Sequence, residues 1–117
     1  MKTALIVDDE EDIGLMVSRL LEKEGLEVIY VDRVKQAKRC IDEVSFDFYL
    51  LDLNLPDGTG FDLIPIIRAK GKHARVVVIS AYDGAEETRR VKELGADAFI
   101  KKPFSKEDVV DVVEALS

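Results

Sequence analysis

Unbroken runs of apolar, mostly branched residues narrow the possible folds of this chain more than any other feature. Ala4-Leu5-Ile6-Val7 and Val76-Val77-Val78-Ile79 show no alternation of apolar with polar residues. Such a strand is buried on both faces, which is typical of a parallel sheet covered by helices. Five strands are predicted, at about Thr3 to Val7, Glu27 to Val31, Phe46 to Leu51, Arg75 to Ser80 and Ala98 to Ile100. Helical patterns alternate with these strands, so the fold class is α/β with right-handed crossovers and helices on both faces.

Start and stop signals define the helices between these strands. Gly25 supplies a left-handed stop for the first helix, and Ser105 with Asp108 can cap the last one. The third helix runs from about Gly60 to Lys70 and holds Pro65 beyond its first turn, which predicts an irregular start.

The fourth helix opens with Asp83-x-x-Glu86 and closes before Gly95. Its apolar stripe is thin, consisting of Ala85, Val91 and Leu94. It is therefore predicted to be weakly anchored. A helix that moves and a helix that merely packs poorly both fit this pattern.

Length and composition limit the kind of protein this is. A chain of 117 residues with 47% hydrophobic and 35% charged residues suits one globular domain, residues 1–117, with no segment long enough to span a membrane. A formal net charge of −7 argues against direct contact with nucleic acid. Met1-Lys2-Thr3 leads straight into the first strand, leaving no room for a secretory signal, so a cytoplasmic location is expected.

Acidic residues follow two of the predicted strands. Five of them, Asp8 to Asp12, come directly after the first apolar run, and Asp52 ends Phe48-Tyr49-Leu50-Leu51. The carboxyl ends of parallel strands meet at one edge of a sheet, where close carboxylates repel unless a cation neutralises them. Asp8, Asp9 and Asp52 therefore form a candidate Mg²⁺ site. Residues 10–12 are better explained as the first turn of a helix, where negative charge meets the positive end of the helix dipole.

Ser80 and Lys102 also fall at strand ends, where they can receive the charge of a phosphoryl group. An aspartate can itself accept such a group and form an aspartyl phosphate. Taken singly, an Asp, Ser or Lys at a strand end is more often a cap, turn or surface residue. Their common position at one edge favours a site.

Five segments resemble the receiver domain of two-component response regulators. They are Val7-Asp8-Asp9-Glu10, Leu51 to Gly58, Val78-Ile79-Ser80-Ala81, Gly95-Ala96-Asp97 and Lys101-Lys102-Pro103-Phe104. These segments stand in the right order at the right spacing, and the resemblance extends over essentially the whole chain. The resemblance implies a doubly wound, flavodoxin-like sheet of five parallel strands with the order 2-1-3-4-5.

The resemblance also implies roles for individual residues. Asp52 would take a phosphoryl group from a sensor histidine kinase or phosphotransfer protein. Asp9, Asp52 and the backbone carbonyl of Asn54 would bind Mg²⁺ directly, and Asp8 would bind it through water. Lys102 and Ser80 would hold the phosphoryl oxygens. The Lys102-Pro103 peptide bond would be cis.

The implied output is a conformational switch rather than enzymatic turnover. Phe99 matches an aromatic residue that turns inward when Ser80 closes on the phosphoryl group. The fourth helix, fifth strand and fifth helix would form the output face, which serves a downstream effector domain or protein and a homodimer.

Departures from the family pattern leave several points open. Phe99 lacks the hydroxyl of the commoner tyrosine. Asn54 and Tyr82 stand at the two positions that tune dephosphorylation in the family, and these residues leave the lifetime of the phosphoryl group open. Lys101 could take the role of Lys102 beside the phosphoryl group, and only Pro103, which follows Lys102, decides between the two lysines.

Two other functions are considered. One is a Mg²⁺-dependent phosphohydrolase working through an aspartyl phosphate. It is disfavoured because Asn54 stands where such enzymes carry an acid that donates a proton. The other is a docking module that is never phosphorylated, which the retention of Asp8, Asp9, Asp52, Ser80 and Lys102 disfavours.

Overall fold

A single parallel sheet forms the centre of the molecule in the computed structural model, which describes residues 2–71, 73–81 and 84–117. Its strands are β1 (Thr3–Val7), β2 (Glu27–Val31), β3 (Phe48–Asp52), β4 (Arg75–Ser80) and β5 (Ala98–Lys101). Their spatial order is β2-β1-β3-β4-β5, and every neighbouring pair is parallel. The predicted α/β class and the 2-1-3-4-5 order are confirmed.

Helices connect successive strands across both faces of the sheet. They are α1 (Glu11–Lys23), α2 (Val34–Glu43), α3 (Leu63–Lys70), α4 (Ala85–Glu93) and α5 (Lys106–Leu116). Gly25 follows α1 with φ +89°, as its stop signal predicted. Ser105 and Asp108 form a reciprocal capping box at the start of α5, also as predicted. None of the helices in the described ranges is long and apolar enough to cross a membrane.

Alternate residues along each central strand face opposite layers. Side chains of one parity pack against α2, α3 and α4, as in Leu5, Tyr49 and Val76. Those of the other parity pack against α1 and α5, as in Ile6 and Leu50. Burial on both faces explains why β1, β3 and β4 show no alternation of apolar with polar residues.

The segment after β3 is more elaborate than the sequence indicated. Asn54–Leu55 and Gly58–Thr59 pair as a small antiparallel hairpin, and Gly60–Asp62 form one turn of 3₁₀ helix before α3 begins. This confirms the irregular start. Pro65 is the third residue of α3, where the backbone N–H it lacks would have had no helical partner.

The two ends of α4 are held differently. Its first residue follows Gly84, which makes no side-chain cap, and the predicted signal at Asp83 lies outside the described residues. Val91 is the one buried residue of Ala85–Glu93, so apolar anchoring is as thin as predicted.

Arg68 of α3 holds the turn that leads from the C-terminus of α4 into β5. Arg68 donates to the Gly95 carbonyl through Nε at 2.9 Å and Nη2 at 2.6 Å, and to the Ala74 carbonyl at 2.6 Å. It also pairs with Asp97 at 2.8 Å. Charged hydrogen bonds therefore fix the turn after α4, in addition to the packing of Leu94 and Ala96 against the core.

Candidate functional site

The predicted site residues meet at the carboxyl edge of the sheet. Asp8 directly follows β1, Asp52 and Ser80 end β3 and β4, and Lys102 directly follows β5. The parallel register aligns these ends, because Asp52 lies opposite Ile79 and Ser80 opposite Lys101. Strand β1 lies between β2 and β3, so the strand order reverses at this point, which is where open α/β sheets form binding crevices.

Four carboxylates converge there. Ligand oxygens of Asp8, Asp9, Glu10 and Asp52 all lie within 4.8 Å of one another. Asp8 and Asp52 are buried, whereas Asp9 and Glu10 are exposed. The structure thus brings together the three acids that sequence reasoning selected.

The assignment of Glu10 to the first turn of a helix was wrong. The helix α1 begins at Glu11, and Glu10 occupies the N-cap position without forming a side-chain cap. Its carboxylate instead reaches Lys102, with Oε1 2.8 Å from Nζ. Glu11 and Asp12 do lie in the first turn. No local pattern distinguished Glu10 from them, because its partner lies 92 residues away.

Lys102 places a buried positive charge among these acids. Its Nζ lies 2.8 Å from Glu10, 3.0 Å from Asp52 Oδ2 and 3.2 Å from Asp8 Oδ2. Its side chain is only 11% exposed, so its contacts with the buried Asp8 and Asp52 are shielded from water, whereas the Glu10 side chain is exposed. The Lys102-Pro103 bond is cis, as the resemblance implied. Lys101 is exposed as the last residue of β5, so the lysine that reaches the acids is Lys102.

Burial and charge shift the ionisation of this cluster. Burial, aided by the charge of Asp52, raises the pKa of Asp8 to about 6 despite a hydrogen bond from the Glu10 amide. The pKa of Asp9 is raised by the same two causes. Burial acts to lower the pKa of Lys102, but bonds to Glu10 and Asp52 outweigh it, so that pKa lies above its usual value. The lysine stays charged while the acids repel one another, so added positive charge would stabilise the site.

The oxygens available in this cluster fit a hard divalent cation. Asp8 Oδ1 accepts the Glu10 amide at 2.8 Å, and Asp52 Oδ1 accepts the Asn54 amide at 3.1 Å. Within the described part of the chain, the buried Asp8 Oδ2 has no hydrogen-bond partner, although Lys102 Nζ lies 3.2 Å away. Carboxylate oxygens, of which one is buried and unbonded, are the donors that Mg²⁺ prefers.

The loop beyond Asp52 is held close to the site by contacts that no sequence motif indicated. A Cβ atom at Gly60 would lie 2.4 Å from the Asp52 carbonyl oxygen, so the chain folds back tightly here. Asp57 in the small hairpin accepts the backbone amides of Val34 at 2.8 Å and Lys35 at 3.0 Å. Asp57 therefore caps the first turn of α2 from a segment 23 residues away.

The two predicted switch residues lie on neighbouring strands. Ser80 is fully buried at the end of β4, and its backbone carbonyl accepts the Lys102 amide at 2.8 Å. Phe99 in β5 is partly buried and lines a pocket of about 170 Å³ together with Thr88 and Val91 of α4. Tyr82, the second position of the lifetime argument, lies outside the described residues. Phe99 thus lies beside α4, on the strand that leads to Lys102.

The fold and this edge site define a flavodoxin-like domain with an acidic pocket suited to Mg²⁺ and an aspartyl phosphate. The family model "Response regulator receiver domain" matches residues 4–114, and the chain belongs to that family.

Relatives of known name agree with this assignment. The chain is 31% identical to the swarming motility regulation protein RssB of Serratia marcescens, covering 97% of this chain and 52% of that protein. It is 33% identical to the transcriptional regulatory protein QseB of Escherichia coli O157:H7, covering 96% of this chain and 51% of that protein. It thus spans about half the length of these curated relatives. Among solved structures, the non-phosphorylated HemR receiver domain from Leptospira biflexa aligns with a TM-score of 0.92 and 34% identity, covering 99% of this chain and 94% of that one.

Proposed function

We propose that residues 1–117 form one phosphorylatable receiver domain in which Asp52 accepts a phosphoryl group from a sensor histidine kinase or a phosphotransfer protein. The observation that carries this proposal is the arrangement around Lys102, whose Nζ lies within 3.2 Å of Asp8, Glu10 and Asp52. A buried cation beside a strand-end aspartate can neutralise a phosphoryl group bound to that aspartate.

The transfer step uses an Asp52 carboxylate oxygen as the nucleophile. A new bond forms between this oxygen and the phosphorus of a phosphohistidine, and the phosphorus–nitrogen bond breaks. The electron pair of the broken bond remains on the imidazole nitrogen, which takes up a proton from water. Lys102 neutralises charge on the phosphoryl oxygens, and Ser80 at the end of β4 supplies a second contact to them.

Mg²⁺ supplies positive charge to the phosphoryl oxygens when it is bound. Asp9, Asp52 and the backbone carbonyl of Asn54 would hold it directly, and Asp8 would hold it through water. The raised pKa values of Asp8 and Asp9 support this proposal, because they show that the site gains from added positive charge.

Phosphorylation would act by shifting a population between two conformations. Ser80 and Phe99 form the proposed switch, and α4, β5 and α5 form the proposed output face. The thin anchoring of α4, in which Val91 alone is buried, supports α4 as the element that moves.

The partners of the whole protein follow from the same reasoning. RssB and QseB are about twice as long as this chain. We propose that this receiver works on an effector domain or a separate effector protein, and that its output face also supports a homodimer.

Intact-mass spectrometry tests the proposal. The native protein and the Asp52→Asn variant are incubated with acetyl phosphate, with and without Mg²⁺. Asp47→Asn is the matched control, because Asp47 is exposed and directly precedes the same strand, at the end opposite to Asp52. One phosphoryl adduct is expected in the native protein and in the control, only with Mg²⁺, and none in Asp52→Asn.

A different pattern would refute the proposal. An adduct that persists in Asp52→Asn would assign the nucleophile elsewhere. Absence of any adduct, together with absence of Mg²⁺-dependent beryllofluoride binding, would favour a docking module. Repeated turnover of a phosphate ester would favour the phosphohydrolase.

A further inference from the structure

Tyr30 of β2 contacts the backbone that carries the two adjacent acids. Its hydroxyl donates a hydrogen bond of 2.7 Å to the backbone carbonyl of Asp8. Asp8 is only 1% exposed, so this carbonyl depends on a protein partner more than on water.

The hydrogen bond from Tyr30 restrains the whole peptide unit between Asp8 and Asp9, and not only the Asp8 carbonyl group. A peptide unit is planar from one Cα atom to the next, so the Asp8 carbonyl and the Cα atom of Asp9 lie in one plane. A donor that holds this oxygen therefore limits rotation of the plane. The same contact therefore helps to fix the position of the Asp9 Cα atom, from which its side chain leaves the backbone. Asp8 is held on its other side as well, since its amide donates to the Val31 carbonyl at 3.2 Å.

Gly14 of α1 makes room for the Tyr30 ring. A Cβ atom at position 14 would lie 2.3 Å from one ring carbon of Tyr30 and 2.5 Å from another. No real Cβ atom sits that close to a neighbour, so any larger residue at position 14 would displace the ring. Glycine is otherwise a poor residue inside a helix. The ring and the missing side chain therefore form a complementary pair.

We propose that Tyr30 is a positioning residue for the Mg²⁺-binding acids, and that Gly14 is the partner that allows the tyrosine to reach Asp8. Tyr30 acts through the Asp8–Asp9 peptide and not on the phosphoryl group. This inference rests on the proposed function, because it assigns a role at the same metal site.

Mg²⁺ titration calorimetry of three variants tests the inference. Tyr30→Phe removes the hydroxyl and keeps the ring, and Gly14→Ala displaces the ring. Tyr49→Phe is the matched control. Tyr49 is buried, and its hydroxyl accepts the Phe46 amide at 3.1 Å, away from the acids.

We expect the Mg²⁺ dissociation constant to rise about 3- to 10-fold in Tyr30→Phe and in Gly14→Ala, which corresponds to part or all of one hydrogen bond. Tyr49→Phe should bind Mg²⁺ as the native protein does. In the double variant Gly14→Ala/Tyr30→Phe the increase should be no larger than in Gly14→Ala alone, because both changes remove the same contact.

Phosphorylation by acetyl phosphate gives a second readout. The Mg²⁺ concentration for half-maximal rate should rise in Tyr30→Phe, while the rate at saturating Mg²⁺ stays within about 2-fold of native. A purely structural role would shift the urea midpoint and leave the dissociation constant unchanged, which would overturn the inference.

The outcomes separate this inference from the proposed function. Native protein that binds Mg²⁺ with the same affinity as Tyr30→Phe refutes the positioning role and leaves the receiver function standing. Native protein that does not bind Mg²⁺ refutes both. Equal weakening in Tyr30→Phe and Tyr49→Phe also refutes the positioning role, because it would assign the effect to general loosening of the fold.

Discussion

Replacing Asp8 with asparagine should stabilise the protein in the absence of divalent cations. Asp8 is buried among like charges, and burial with the charge of Asp52 raises its pKa from 3.8 to about 6. The folded state therefore binds a proton between these two pH values more tightly than the unfolded state does. Unfolding free energy falls as pH rises through that window, and at neutral pH the charged Asp8 destabilises the fold. Asparagine keeps the shape and removes the charge.

The size of the effect follows from the shift. Each tenfold change in the proton-binding constant corresponds to 1.36 kcal/mol, so the shift from 3.8 to about 6 gives an upper bound of about 3 kcal/mol. Exposed neighbours such as Asp9 admit solvent that screens the charges, which lowers the expected gain to roughly 1–2 kcal/mol.

Urea unfolding at pH 7.5 and pH 4.0 measures this difference. At pH 7.5 with a chelator present, Asp8→Asn should unfold at a higher urea concentration than the native protein, and near pH 4.0 the two midpoints should nearly coincide. Mg²⁺ should stabilise the native protein more than the variant. A variant that is equally or less stable at pH 7.5 without metal would refute the electrostatic account of this site.

Three further substitutions test other contacts. Lys102→Ala leaves buried acids without their cation and should cost roughly 3 kcal/mol in metal-free urea unfolding. Mg²⁺ should recover part of this loss, while phosphorylation no longer alters the conformation; full switching by the variant would show that Lys102 was wrongly assigned. Asp57→Ala removes the side chain that accepts two backbone hydrogen bonds at the start of α2. These bonds, from the amides of Lys35 and Val34, lower the pKa of Asp57. The variant's urea midpoint should lie below that of the native protein at pH 7, and this difference should shrink as pH falls from 3.8 through the lowered pKa of folded Asp57, whereas a constant difference would exclude the charge. Arg68→Gln should cost about 2–4 kcal/mol and speed amide exchange in the turn after α4, and unchanged exchange would contradict the role of Arg68.

The fold was largely predictable because local patterns specify it. Unbroken apolar runs marked the strands, and Gly25 and Ser105 marked helix ends that the structure reproduces. Pro65 marked the irregular start of α3. Each of these signals acts within a few residues, so a single sequence was enough to read them.

The site was predictable only in part. Asp8, Asp52 and Lys102 could be selected because parallel strands bring their carboxyl ends to one edge. The contacts made by Glu10 and Tyr30 join residues 92 and 22 positions apart, and nothing in the local sequence of either residue indicates its partner. Such contacts depend on the packed positions of several elements, which only the folded chain supplies.

The strand order has a consequence for how cooperatively this chain folds. Glu10 and Lys102 are 92 residues apart, and Asp52 and Lys102 are 50 apart. Pairing of β1 with β3 brings the acids together, but their compensating lysine arrives only when β5 docks at the far side of β4. A partly assembled sheet therefore carries unbalanced negative charge, which disfavours it relative to both the unfolded and the complete states. Repulsion among the acids at this edge thus makes partial structures unfavourable and favours folding in a single all-or-none transition.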